Sequence, residues 1–253
     1  MDFFITPDVG PALFTGLTIA SFATAFIGVF TGTAGGVILL AILATVMPPA
    51  ALIPVHTVIQ LGSGVTRTMI MWRHVMLWTL APFVLGAALG ALAGAKVFVS
   101  LPGSTLQLIL GVFILIVTWL PKLGRIGARS GRFFGLGFVA TFVGVFVSAT
   151  GTLVAPFVAS AAPDRRNHAA TLGALMTFVH IAKLFAFGAI GFSIASYAWL
   201  MVAMIVTGAA GNWVGEVALE KISEQKFRLM LQIVLSLLAL NLLWTAFTGK
   251  AWL

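Results

Sequence analysis

The sequence predicts an all-α, polytopic membrane protein of two inverted-topology repeats, each of about five helical segments, with broken, re-entrant hairpins where glycine and threonine interrupt the apolar runs. Three observations predict it. Hydrophobic residues make up 60% of the 253 and charged residues 8%, with a mean hydropathy of +1.13, far from the soluble range of about half apolar and a quarter charged. The break Phe26-Ile-Gly-Val-Phe-Thr-Gly-Thr-Ala-Gly-Gly36 recurs as Phe142-Val-Gly-Val-Phe-Val-Ser-Ala-Thr-Gly151, 116 positions later (142 − 26 = 116). In that register Phe22, Phe26, Gly28, Val29, Phe30 and Gly35 meet Phe138, Phe142, Gly144, Val145, Phe146 and Gly151. Finally, Lys and Arg sit in short connections rather than in a continuous stripe, so the net charge of +8 marks membrane topology and not a nucleic-acid partner.

The spanning elements are helices, because the apolar runs lack the period-two alternation of a barrel strand. From Val9 to Thr66 there is no charged residue, enough for more than one crossing at about 20 residues per span. The first repeat covers residues 1–120, with segments at 11–30, 37–47, 51–72, 75–99 and 103–120. Pro48-Pro49 ends the short second segment. Residues 121–132 carry Lys122, Arg125, Arg129 and Arg132 with no acid and form a basic linker. The second repeat covers 133–253 in the same order, with segments at 133–147, 153–162, 167–190, 193–219 and 227–247. The amino end carries Asp2 and Asp8 and no basic cluster, unlike a cleaved signal peptide. Cysteine is absent, which excludes disulfides and thiolate metal sites.

Basic residues in short loops favour the cytoplasm, which puts the linker inside. Counting back, Leu101-Pro102 falls outside, Arg73-His74 inside and Pro48-Pro49 outside. If each break closes a hairpin, Asp164-Arg165-Arg166 falls inside, Gly191-Phe192 outside, the Lys221 to Arg228 turn inside, and both termini outside. Five segments per half is an odd number, so the repeats are inverted, the arrangement in which transporter folds place broken helices at the midplane. If each break merely interrupted one span, the repeats would be parallel and Asp164-Arg165-Arg166 would lie outside, against the charge rule.

Carrying an anion through lipid requires donors that replace its water. The short segments beginning near Val37 and Leu153 each offer unpaired backbone N–H groups and the positive end of a helix dipole. Thr31, Gly32, Thr33, Gly35 and Gly36 in one break, and Ser148, Thr150, Gly151 and Thr152 in the other, are the substrate-binding candidates, with the anion held between the two breaks. Glycine and threonine also pack membrane helices, but the pairing of the breaks favours a site. Arg67 and Lys183 share the 116-residue offset (183 − 67 = 116) and are candidates for electrostatic attraction or gating; the competing reading is that both snorkel to the headgroups. His56, within two turns of Pro49, joins the substrate-binding set, whereas His180 reads as a helix-to-helix hydrogen bond. Gln60, Asn212 and Asn241 are weaker candidates, and Glu216 is the one carboxylate within an expected span.

The glycine break with its short helix and proline, the series Gly86, Gly90 and Gly94, the matching Gly208, Gly211 and Gly215, and the closing Phe227 to Trp244 helix resemble the sulfite exporter TauE/SafE family of membrane permeases. The resemblance spans nearly the whole chain and departs from the family's glycine-rich pattern at Ala34. It implies a multi-pass transporter of the bacterial plasma (inner) membrane for a small anionic substrate such as sulfite, sulfoacetate or another organosulfonate. The lipid bilayer is the other expected partner; a homodimer is an open assembly state. The scattered His show no metal-ligating spacing, so neither a metal, a cofactor nor an intramembrane enzyme is expected. A passive anion channel of the same fold is the alternative, since helix ends and basic rings also select anions in pores.

Overall fold

In lipid every backbone polar group must be satisfied within the protein, and the chain meets this by becoming almost wholly helical. A computed structural model describes residues 9–31, 34–119, 130–148, 150–189, 191, 195–218 and 224–249. Their ten α-helices are α1 (Pro11–Thr31), α2 (Ala34–Val46), α3 (Pro49–Ile70), α4 (Leu77–Phe98), α5 (Gly103–Trp119), α6 (Ser130–Val147), α7 (Gly151–Ala161), α8 (Arg165–Ala189), α9 (Ala198–Ala218) and α10 (Glu224–Thr248). The all-helical class is the one the sequence predicts.

Both breaks are narrower than expected. Thr31 still belongs to α1, and Ala34 to Gly36 already form the first turn of α2. Likewise Gly151 and Thr152 open α7. Glycine is tolerated there because the first N–H groups of a helix lack intrahelical partners in any case. The segment expected over 193–219 begins as a 3-10 turn at Ala195–Tyr197 before α9.

Leu77–Phe98, Ala170–Ala189 and Ala195–Val214 are each long and apolar enough to cross a membrane. Their 20 to 22 residues span about 30 to 33 Å at 1.5 Å per residue, matching the hydrocarbon thickness. By contrast α2 and α7, with 13 and 11 residues, reach only about 20 and 17 Å.

Two compact units form, and neither is a simple half of the sequence. One holds α1, α2, α3 as far as Ile59, α5, α9 and α10; the other holds α3 from Gln60, α4, α6, α7 and α8. In the first unit α1 packs on α9 and α5 on α10. In the second, α4 packs on both α6 and α8, and α7 packs on α8.

Small residues make these pairings close, since van der Waals contact, not expulsion of water, joins helices in lipid. A Cβ on Gly86 or Gly90 would overlap the carbonyl oxygen of Phe134 or Phe138 in α6. On α9, a Cβ at Gly211 would overlap the Phe22 carbonyl oxygen of α1. Phe22 and Phe138 are the pair related by the offset (138 − 22 = 116), so both contacts use the same position of the break-bearing helix. The Ser21 hydroxyl adds a hydrogen bond to the Met204 carbonyl oxygen at 2.7 Å. Opposite the glycine strip of α4, Leu85, Leu89 and Leu92 are exposed, as a lipid-facing surface requires. The core of the second unit gathers Phe83, Ala87, Ala140, Val154, Val158, Leu175 and Val179. It holds α8 against α4, α6 and α7 at the level where the second break occurs.

Candidate functional site

Helix α6 stops at Val147, and the next residue, Ser148, adopts a left-handed backbone with φ of 56°. Its N–H donates to the Gly144 carbonyl oxygen at 2.9 Å, the single bond of a left-handed helix cap, where glycine is the usual residue. A side chain in this conformation costs about 1 to 2 kcal/mol. What serine offers and glycine lacks is an acceptor: its Oγ receives a hydrogen bond from Lys183 Nζ at 3.0 Å. Lys183 is 0% exposed, so its ammonium turns into the protein and does not snorkel. Two residues beyond Ser148, Thr150 caps α7, and its carbonyl oxygen accepts the N–H groups of Leu153 and Val154 at 3.0 and 3.2 Å.

The surroundings leave this cation without a protein counter-charge in its own unit. Residues 60–101 and 120–192 contain a single carboxylate, Asp164. That side chain is exposed and accepts the Asn167 N–H at 2.8 Å, capping the start of α8. It precedes Lys183 by 19 residues (183 − 164 = 19), about 28 Å along the helix. An ammonium has three protons to donate, and Ser148 accepts one.

Nearby hydroxyls are also poorly matched. Thr150 Oγ1, on a residue 1% exposed, meets Met176 Sδ at 3.9 Å, and a thioether is a weak acceptor. Thr141 is fully buried, and its Oγ1 has no hydrogen-bond partner among the described residues. Thr141, Gly144 and Ser148, at i, i+3 and i+7, share one face of α6. Gly144 makes the room: a Cβ there would lie 2.8 Å from Thr150 Cγ2 and 3.7 Å from Lys183 Cδ. One turn before Lys183 on α8 stands the buried His180. A buried ammonium, the hydroxyls of Ser148 and Thr150 and the N-terminus of α7 therefore lie together at this break, a donor set suited to an oxyanion.

The first unit is arranged differently. Gly35 and Gly36 lie in the first turn of α2, and fully buried His56 reaches it, with Nε2 2.9 Å from the Gly36 carbonyl oxygen. A carbonyl only accepts, so the proton is on Nε2, and His56 ties α3 to the start of α2. Asn241 is buried on α10, which also packs on α2. The side chains of Thr31 and Arg67, with Gly32 and Thr33 entire, lie outside the described residues.

A family model described as sulfite exporter TauE/SafE matches residues 17–242. The chain belongs to this family. It is accordingly a membrane transporter, in a family of transporters and not of enzymes. No curated protein and no solved structure matches the chain. The TauE/SafE match takes in both breaks, Lys183 and most of α10. A groove on α10 lined by Leu240, Leu243, Trp244 and Phe247 offers an anion almost no polar contact.

Of the residues singled out from the sequence, this TauE/SafE chain brings Ser148, Thr150, Gly151, Thr152 and Lys183 to one break, and Gly35, Gly36 and His56 to the other. Thr141 and Met176 were not singled out, although the spacing of Thr141 and Ser148 on α6 was a usable signal. So was the serine itself, because the residue 116 positions earlier (148 − 116 = 32) is Gly32. If Lys183 is retained for a ligand rather than for stability, Lys183→Met should raise unfolding free energy by about 1 to 3 kcal/mol, since replacing a buried ion with an apolar side chain of similar volume relieves desolvation. Unfolding by dodecyl sulfate in micelles measures this; a loss of stability would mean the fold itself depends on the charge.

Proposed function

We propose that this TauE/SafE protein is a secondary transporter that moves a small sulfur-containing or organic anion, such as sulfite, sulfoacetate or a related sulfonate, across the bacterial plasma membrane by alternating access. The observation that carries this reading is the fully buried Lys183, bonded to Ser148 in a unit whose one carboxylate stands at the far end of α8. A desolvated cation with no counter-charge of its own is a position for a mobile anion. The family description supports the sulfur-containing class.

In this reading the anion exchanges its water for the Lys183 ammonium, the hydroxyls of Ser148 and Thr150, and the N–H groups of Gly151 and Thr152 in the first turn of α7. None of these donors requires a cofactor. The α7 dipole adds positive potential without a second full charge, so the anion is held by groups that also let it go. Uptake of sulfite into proteoliposomes should saturate and be accelerated by sulfite on the opposite side. Lys183→Gln should weaken apparent affinity about 10- to 100-fold, the loss of a charge-assisted hydrogen bond. Ohmic, unsaturated current would make the protein a passive channel, and flux unchanged by the substitution would remove Lys183 from the site.

The two conformations come from inverted repeats of five segments, 1–120 and 133–253, with the basic 121–132 linker inside and both termini outside. Support for this lies in the loop charges: every charged turn is cytoplasmic when the breaks are hairpins. Because the chain has no cysteine, single cysteines at Ser104 and Ser223 can be labelled cleanly. They should react with an impermeant reagent from opposite sides of the membrane; reaction from the same side would overturn the inverted arrangement.

A further inference from the structure

We infer that His180 carries a proton together with the anion bound at Lys183, which makes the protein a proton–anion symporter. This rests on the anion-transport reading above and adds the ion coupled to it.

The residues concerned lie along one stripe of α8. Met176 meets Thr150 Oγ1 at 3.9 Å and Lys183 donates to Ser148 Oγ at 3.0 Å, so the break between α6 and α7 covers two turns of that helix. His180 follows Met176 by four residues and precedes Lys183 by three (180 − 176 = 4; 183 − 180 = 3), which puts it on the same face, between the two contacts. It is 4% exposed. A Cβ on Gly144 would come within 2.8 Å of Thr150 Cγ2 and 3.7 Å of Lys183 Cδ, so no side chain at that position of α6 holds the break off the stripe.

The other titratable groups around α8 stand mostly at helix ends. α8 packs on α4, α6, α7 and the 3-10 turn Trp72–His74, and Gly64 of α3 lies against Thr177. Helix α7 contributes no titratable group. Lys96 is exposed in the last turn of α4, Arg132 is exposed in the first turn of α6, and Arg73 and His74 form the turn before α4. Asp164 is exposed ahead of α8, and His168 precedes His180 by 12 residues (180 − 168 = 12), about 18 Å along the axis. The side chains of Arg67 on α3 and of Arg165 and Arg166 at the start of α8 lie outside the described residues. Among the described groups, Lys183 is the one that shares the stripe with His180.

Imidazole, with an ordinary pKa of about 6.5, gains and loses a proton near neutral pH. It has two nitrogens, so one can bond a neighbouring helix while the other exchanges a proton. A positive charge one turn from Lys183 repels the ammonium until an anion lies against the stripe, and then both cations attract it. Anion and proton therefore raise each other's affinity by the same factor. The imidazole takes its proton from water on the side where the anion enters and returns it to water where the anion leaves. A dianion such as sulfoacetate then meets an ammonium and an imidazolium.

Methanesulfonate keeps its single charge at every pH of interest, so a proton that moves with it is carried by the protein. Proteoliposomes of the full chain, loaded with a pH-sensitive dye and with the membrane potential clamped by potassium and valinomycin, are given an inward gradient of labelled methanesulfonate. The interior should acidify beyond protein-free liposomes as the anion enters, and apparent affinity should be at least about fivefold tighter at about pH 5.5 than at about pH 8. His180→Gln and His180→Asn, which imitate the Nε2 and Nδ1 hydrogen bonds without titrating, should each lose the acidification per anion moved and flatten the pH profile. Uptake without acidification, or with alkalinisation, overturns the coupling while leaving anion transport standing. Acidification that persists in either variant removes His180 as the carrier. No uptake of methanesulfonate by the wild-type chain overturns the sulfonate-transport reading and this inference together.

Discussion

The Lys183 ammonium is held away from water with a serine hydroxyl as its hydrogen-bond partner, and several local features make sense only as ways of keeping it there. Helix α6 ends in a left-handed cap occupied by a residue with a side chain, which places Ser148 Oγ against Nζ. One turn back, Gly144 leaves the volume that Thr150 and the Lys183 stem fill. α7 starts two residues past the cap's neighbour, so the positive end of its dipole enters the same region. Each feature costs stability in isolation. Together they bring a buried ammonium, two hydroxyls and a helix N-terminus to one break.

Holding that arrangement falls to helix packing in which glycine replaces the hydrophobic effect. α4 meets α6 through Gly86 and Gly90 with backbone against backbone, and α8 lies on the same α4 face through Ala91, Ala95, Ala182 and Ala186. The α1–α9 pair in the other unit uses the corresponding phenylalanine carbonyl. Such contacts join helices far apart in sequence, so each break-bearing helix is clamped by a helix from the other half of the chain. The α4–α6 clamp stands beside the left-handed cap at Ser148, and under the proposed mechanism movement would be localised to that connection.

Much of the helical layout was legible from the sequence because hydrocarbon leaves few choices: long uncharged runs must be helices, and glycine with threonine inside such a run marks an interruption. The widths of the breaks were overestimated, since Ala34 to Gly36 and Gly151 to Thr152 read as loop by composition yet sit in first turns, where glycine carries little penalty. Whether Lys183 snorkels or turns inward was not decidable from sequence, because its long side chain permits both from one backbone position. Only the burial of Nζ beside Ser148 separates them. Thr141 escaped notice because one threonine in an apolar helix is ordinary, and its hydroxyl becomes informative only when its surroundings are known to lack an acceptor. The pairing of α4 with α6 and of α1 with α9 was likewise hidden, as the glycine strips name a packing face but not its partner.

The central proposal is that an anion binds against Lys183 Nζ, and selenite, the heavier analogue of sulfite, can be located directly by its anomalous scattering in crystals of the full chain. The expected result is a selenium peak within about 4 Å of Lys183 Nζ, the range of a direct ion pair, in contact with the Ser148 and Thr150 hydroxyls and the first turn of α7, and absent from Lys183→Gln crystals. Selenium bound elsewhere, with Lys183 still bonded to Ser148 alone, would contradict it.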